Sequence, residues 1–561
     1  MLGISLSVPQ CAALSTGAGV SDVYRIASNR FSMPTDYGTL DSNFGANDGT
    51  VGHQGGNGTA LSRYAFRSYV FTTIFAPKAG RFLWVNAANT INGMIDGLFA
   101  VNIQRVEVYT LAGALIDVVK FDGAGAYSLG AGGKKWSDPI ADLAAFTSYK
   151  LAVWYSQPSV SQSFPSQPPM MLAGETERTS LSTDLSLSAP NFAFAAPGVV
   201  GGSFGPAAFA AKGGTGYAAA LILGDSIADN TNVSARLSGT RGDMGYIGVG
   251  LGDAGNGGPI NYWSCPRYSQ SYLALYQDNL NSLGGKNLID YVKACNDLLQ
   301  PQPIFNVVVC EHGRNNLGST TTLDAMKGFL SSSINKMRGL YPGMPWVAST
   351  TTPNVTVPAN GAAVPGTTQT GVGAANTAGG TIEQWNNYLI GLAGGFITGN
   401  PTPLPTISAC IDAAAQARDS ANYTNWKTFA FSTTLLDAVA AATTNVIRVA
   451  DAPPVGAQLV FEDGTANLEY GTKIFSVASV VAAGGGGWTV TGVGSSRASV
   501  ADATSANENG RLAKAHAVGA TVKQVATTDQ LHPAHSVSME MAATVSAKKP
   551  TIVGVALAYA A

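Results

Sequence analysis

The sequence predicts an α/β protein: a parallel sheet between two helical layers, with an N-terminal β-sandwich before it and a small β domain inserted near its end. Three observations carry this. From Tyr217, short apolar runs alternate with stretches of helical spacing, as a parallel sheet covered on both faces requires. Before Pro158, apolar and polar residues alternate with period two. Between residues 433 and 525, short strand-like runs are separated by glycine-rich turns.

In chain order, residues 1–158 are read as the sandwich, with strands around Tyr69–Phe75, Ile103–Tyr109 and Tyr149–Tyr155. Such a module can bind sugars or serve as a spacer. Residues 159–216, rich in Ser, Pro, Gly and Ala, are read as a connection. Residues 217–432 form the first part of the α/β domain. Leu221-Ile222-Leu223 and Phe305–Cys310 read as buried strands, and Pro345–Thr350 as another. Leu323, Met326, Phe329, Leu330 and Ile334 share one helical face, and helices are also expected at Thr381–Leu392 and Ser408–Arg418. Residues 433–525 are the insertion, and 526–561 return to the α/β domain with a helix from Val537.

The chemistry concentrates in three short segments. Gly224-Asp225-Ser226 follows the first strand, so a serine emerges at a strand's carboxyl end, where open α/β sheets bind ligands. By itself this is an ordinary turn composition. Glu311-His312-Gly313-Arg314-Asn315-Asn316 follows the second strand, and Asp529-Gln530-Leu531-His532-Pro533 precedes the last helix. Ester hydrolysis by serine needs a base, a group that orients the base, and donors for the tetrahedral oxyanion. Ser226, His532 and Asp529 have the residue types for nucleophile, base and orienting group, and the Asn315 amide with the Ser226 N–H for the donors.

Gly-Asp-Ser, Gly-x-Asn and Asp-x-x-His in this order resemble the SGNH (GDSL) hydrolase family, over roughly Tyr217–Ala547 with the insertion interrupting. The resemblance implies a flavodoxin-like α/β/α sheet, Ser226 as nucleophile, Asn315 as oxyanion donor, His532 as base and Asp529 as its partner. With β domains appended, it resembles the phage or secreted polysaccharide esterases of that family and implies a deacetylase for O-acetyl esters. Gly313 and His312 are expected beside the substrate. The chain departs from the family at the second strand. No glycine ends Asn261–Pro266, leaving the N–H of Ser264 or Cys265, or a nearby glycine such as Gly257 or Gly258, for that donor.

Two other glycine patterns lack their context. Gly201-Gly202-Ser203-Phe204-Gly205 has Pro197 before it and Pro206 after it, not a strand and a helix. Gly250-x-Gly252-x-x-Gly255 lacks a preceding strand and is read as a loop.

Composition narrows the setting. Charged residues are 12% of 561, about half the usual fraction, and net charge is −2, with no basic run for nucleic acid. The five cysteines are scattered and form neither a disulfide framework nor a zinc pattern, so no cofactor or metal is expected. No run is long enough to span a membrane, and Met1–Val20 is a poor secretory leader. The expected location is extracellular or on a virus particle. The expected partners are a polysaccharide or other acyl-ester substrate, other virion proteins and further copies of the chain. A non-catalytic virion protein that uses the same fold to bind glycan is the alternative.

Overall fold

A computed structural model describes residues 23–34, 36–38, 64–157, 164–166, 175–180, 184–187, 189–190, 192, 204–228, 245–267, 269–280, 285–318, 320–356, 369–393, 406–420, 425–440, 445–462, 475–493, 515–525, 527 and 535–560. Its centre is a five-stranded sheet of β1 (Ala219–Leu223), β2 (Asn261–Ser264), β3 (Val307–Cys310), β4 (Trp346–Ser349) and β5 (Ala409–Ile411). The strand order is β2-β1-β3-β4-β5 and every pairing is parallel. β1 and β3 are apolar along their length because both faces are covered. Leu221, Leu223, Val308, Cys310 and Trp346 pack with α2 (Leu288–Asp297), α3 (Leu323–Leu340) and α4 (Thr381–Ala393). Ala220, Ile222, Val307, Val309 and Val347 pack on the other side with α1 (Gly245–Gly252) and α5 (His535–Ala560).

The helices at 323–340 and 381–393 fall where the spacing predicts them. Ser408–Arg418 does not form the expected helix. Ala409–Ile411 is the edge strand β5, followed by a 3-10 turn at Ala413–Gln416. Pairing with β4 overrides the helix propensity of Ala and Gln there. The Gly250-x-Gly252 pattern closes α1 and is not wholly a loop.

Two larger antiparallel sheets, with two small two-stranded ones beside them, build the described N-terminal region. Of the larger two, one contains Lys78–Val85 and Lys134–Trp136; the other contains Tyr64–Thr72, Val101–Thr110 and Ser148–Ser156. Phe31, Tyr69, Phe71, Phe82 and Phe209 fill the space between them, with Phe82 and Phe209 stacked at 4.6 Å. The stretch expected as a connection contributes strands to these sheets. Glu177–Ser180 pairs with Tyr64–Arg67, and Ala208–Lys212 pairs with Lys78–Leu83. Its apolar alternation is short, and its partners lie far away in sequence, which hides it from a local reading.

This region docks on the central sheet. Ser32 bridges Ser264 in parallel, and the Asn29 side chain accepts from Tyr262 N (2.7 Å) and donates to Ile260 O (2.9 Å). The β2 edge is thereby covered and not left as an open template.

The insertion is a sheet of Ser432–Thr434, Thr521–Val525, Gln458–Glu462, Phe475–Ala482, Trp488–Val493 and Val446–Val449, in that spatial order, all antiparallel. A bridge from Leu435 to Val449, with Ala450 N donating to Thr434 O (3.0 Å), joins the two ends of that order. The sheet closes on itself as a small barrel around Leu459, Phe461, Phe475, Val490 and Val522. α5 then returns to the central sheet, as the interrupted domain requires. Among the described residues, no helix is long and apolar enough to cross a membrane. Cys265, Cys295, Cys310 and Cys410 are buried thiols.

Candidate active site

The order β2-β1-β3-β4-β5 reverses direction between β1 and β3, and ligands in such sheets collect at the carboxyl ends flanking that point. Leu223 is in register with Cys310. Ser226 and Gly313 each follow that registered pair by three residues, so the two turns leave neighbouring strands at one level. The fold therefore brings together the nucleophile candidate and the Gly-x-Asn turn.

The Ser226 turn is tightly built. Asp225 Oδ1 accepts from Ile227 N (3.1 Å), and Glu311 Oε2 accepts from Asp225 N (3.1 Å). Ala228 N–H also donates to the Glu311 carboxyl, so this one side chain holds both ends of the turn. A Cβ on Gly224 would lie 2.4 Å from Ala228 Cβ and 3.2 Å from Glu311 Oε2. Only glycine fits between them. Ser226 is 5% exposed.

Asn315 stands exposed on the 3-10 turn Arg314–Asn316, and its Nδ2 donates to Gln270 O (3.0 Å). Gly313 has φ +151°, and a Cβ there would meet Thr351 Oγ1 at 2.9 Å and Trp385 Nε1 at 3.2 Å. Arg314 is buried and donates to Thr352 O (3.0 Å). Burial holds its guanidinium down at about 10, opposed by the nearby Asp225 and Glu311 carboxyls. His312, expected beside the substrate, is fully buried. Its Nε2 lies 3.2 Å from Gln270 Oε1 and its ring packs on Tyr272, and burial pushes its pKa to about 3, so the ring is neutral.

At the exit of β2, Cys265 N donates to Ile222 O (3.0 Å) and Arg267 N to Gly224 O (3.0 Å), so both extend the β1–β2 ladder. Ser264 is the registered partner of Ile222. Gly257 and Gly258 precede β2 and lie at the sheet's amino end, away from Ser226. Neither can serve as the second-strand donor.

Asp529 and His532 lie outside the described residues. Their neighbour α5 is placed. Gly250 of α1 packs on Ala542 and Val545, and Ser546 Oγ donates to Asp253 Oδ2 (2.6 Å), so α1 and α5 run in the same direction. Gly245, at the start of α1, abuts the Ala228 carbonyl oxygen. The amino end of α5, three residues beyond His532, is therefore on the Ser226 side of the sheet.

The sequence reading missed Glu311, Gln270 and Arg314. The one local signal was an acidic residue directly after four buried apolar ones.

Glu311 supplies a pH test. Burial first, and then the Asp225 carboxylate, raise its pKa well above the ordinary value. Above the usual unfolded carboxylate pKa of about 4.3 the folded chain binds more protons, so this group's contribution falls as pH rises toward its folded pKa. Glu311→Gln keeps the acceptor oxygen and donates an N–H in place of the carboxyl proton. The variant's thermal midpoint should gain on the wild type's as pH rises from 5 to 8, and parallel midpoints across that range would refute a protonated Glu311.

No family model matches the chain, and no curated protein matches it. Among solved structures, the chain is similar to a family two carbohydrate esterase from Clostridium thermocellum in complex with cellohexaose, at 11% identity. That match covers 63% of this chain and 83% of the other, with a TM-score of 0.22. It is also similar to a carbohydrate esterase family 3 structure from Talaromyces cellulolyticus, with 12% identity, 37% and 88% coverage and a TM-score of 0.21. A third is an acetyl esterase mutant with an acetate ion, with 12% identity, 35% and 79% coverage and a TM-score of 0.20. Scores this low transfer no residue roles.

Proposed function

We propose that this chain is a serine esterase of the SGNH type that removes O-acetyl groups from a polysaccharide through an acyl-enzyme at Ser226. The supporting observation is the pair of turns bearing Ser226 and Asn315, which leave the registered neighbours β1 and β3. In this reading His532, oriented by Asp529, takes the Ser226 Oγ proton as oxygen attacks the ester carbon. The oxyanion accepts from the Asn315 side-chain amide and the Ser226 N–H. Collapse releases the sugar hydroxyl, protonated by His532. Water, deprotonated by His532, then attacks the acyl-enzyme and frees acetate and Ser226. The depth of Ser226 supports a small acyl group, and the two β modules beside the α/β core support a polymeric substrate. The setting we propose is extracellular or on a virus particle, with virion proteins and further copies of the chain as partners.

The test is acetate release from p-nitrophenyl acetate and from acetylated polysaccharides, together with labelling by a fluorophosphonate. Turnover should fall below about pH 6.5 as His532 protonates, and peptide mass spectrometry should place the label on Ser226. Glycan binding with neither label nor product would favour the non-catalytic platform. The observation that favours that platform is the lack of a glycine at the end of β2.

A further inference from the structure

We infer that Asn89, in the N-terminal β region, is a positioning residue for the esterase site: it fixes Cys265 and Gln270, and Gln270 orients the Asn315 amide. The inference rests on the ester-hydrolysis reading above and deepens it.

Asn89 lies on the strand Ala87–Thr90, paired with Gly93–Asp96, and is fully buried. Its Nδ2 donates to Cys265 O (2.8 Å), and its Oδ1 accepts from Gln270 Nε2 (2.7 Å). One side chain thus holds both ends of the segment that leaves β2. That segment touches both halves of the site. Arg267 N donates to Gly224 O at the base of the Ser226 turn, and Gln270 O accepts from Asn315 Nδ2 (3.0 Å). Tyr272 N, two residues on, donates to Asn316 Oδ1 (2.9 Å). With one Asn315 N–H committed to Gln270 O, the direction of the other is fixed.

The hydrogen-bond directions in this network follow from its carbonyls. Cys265 O can only accept, so the Asn89 nitrogen faces it and the Asn89 oxygen faces Gln270. Gln270 Nε2 also donates to Thr90 O (2.9 Å), which leaves Gln270 Oε1 to accept from His312 Nε2 (3.2 Å). His312 is then the Nε2–H tautomer, in agreement with its neutral state. The buried His312 has a place in this account: it links Gln270 to the Gly-x-Asn turn, with its Nδ1 3.8 Å from Cys310 Sγ.

A double-mutant cycle tests this with full-length protein and p-nitrophenyl acetate. Asn89→Ala should lower kcat by about 10- to 100-fold with KM little changed, as a misplaced donor does. In an Asn315→Ala background, the same substitution should cost almost nothing further. Equal losses in both backgrounds, or an unchanged kcat in the wild-type background, would overturn the inference. Gln270→Met removes the link while keeping side-chain volume, and it must show the same non-additivity. It decides the matter if Asn89→Ala fails to give a cooperative melt. The two readings fail separately. If Asn315→Ala and Ser226→Ala both keep full activity, ester hydrolysis at this site is wrong and the inference falls with it. If both collapse while Asn89→Ala and Gln270→Met stay at the wild-type rate, only the role of Asn89 is lost.

Discussion

Replacing Ser226 with alanine should reduce kcat for ester hydrolysis by about 10⁶-fold, the usual loss when a triad nucleophile is removed. In an assay this leaves a residual rate about 10³–10⁴-fold above the uncatalysed one. Donors and binding groups remain, so substrate affinity should change little. The fold should be indifferent to the change. The turn is held by the Asp225 and Glu311 side chains and by close packing at Gly224, none of which depends on the hydroxyl. The thermal midpoint should therefore move by no more than the small shift typical of a conservative substitution. A Ser226→Ala protein that kept a tenth of the wild-type rate would assign the chemistry elsewhere.

Gly224→Ala is expected to have the second largest effect, through geometry and not chemistry. The added methyl would sit 2.4 Å from Ala228 Cβ, and that atom is fixed to the backbone and cannot swing away. The Glu311 carboxyl blocks the other side at 3.2 Å. The turn must open, and Ser226 lies within it. A displacement of about 1 Å at a reacting group costs about 100-fold in rate, and overpacking costs about 1–3 kcal/mol in stability. The expected result is a variant that folds with a lowered thermal midpoint and retains about a hundredth of kcat. A rate within threefold of wild type would show that Glu311 and Ala228 do not constrain the turn.

What could be read from the sequence was what is encoded locally. β1 and β3 announce themselves as unbroken apolar runs, because each is covered on both faces. Ser226 and Asn315 follow those runs directly, so their approach to one another needed only the sheet order. The strand Ala409–Ile411 was hidden inside a stretch of good helix formers, where only its neighbour β4 decides the outcome. Ala208–Lys212 was hidden in the same way, since its partners at Lys78–Leu83 lie about 130 residues earlier. The supporting shell of the site was the least visible. Glu311 acts on a turn 86 residues away, and Asn89 on a side chain 181 residues away. A buried polar side chain at that range leaves no periodic trace, and its role emerges only when the fold brings its partner near.

The barrel has a consequence for how this molecule can vary. Its incoming strand Ser432–Thr434 and outgoing strand Thr521–Val525 are hydrogen-bonded neighbours, with Ser432 opposite Lys523. Paired strands lie about 5 Å apart, a gap that a tight turn can close. The chain therefore enters and leaves the barrel through neighbouring strands. A lineage, or an engineer, can exchange this unit for a larger one, or replace it with a hairpin turn, without rerouting the chain from β5 to α5. The barrel can then change by cassette replacement while the central sheet and the turn bearing Ser226 stay as they are.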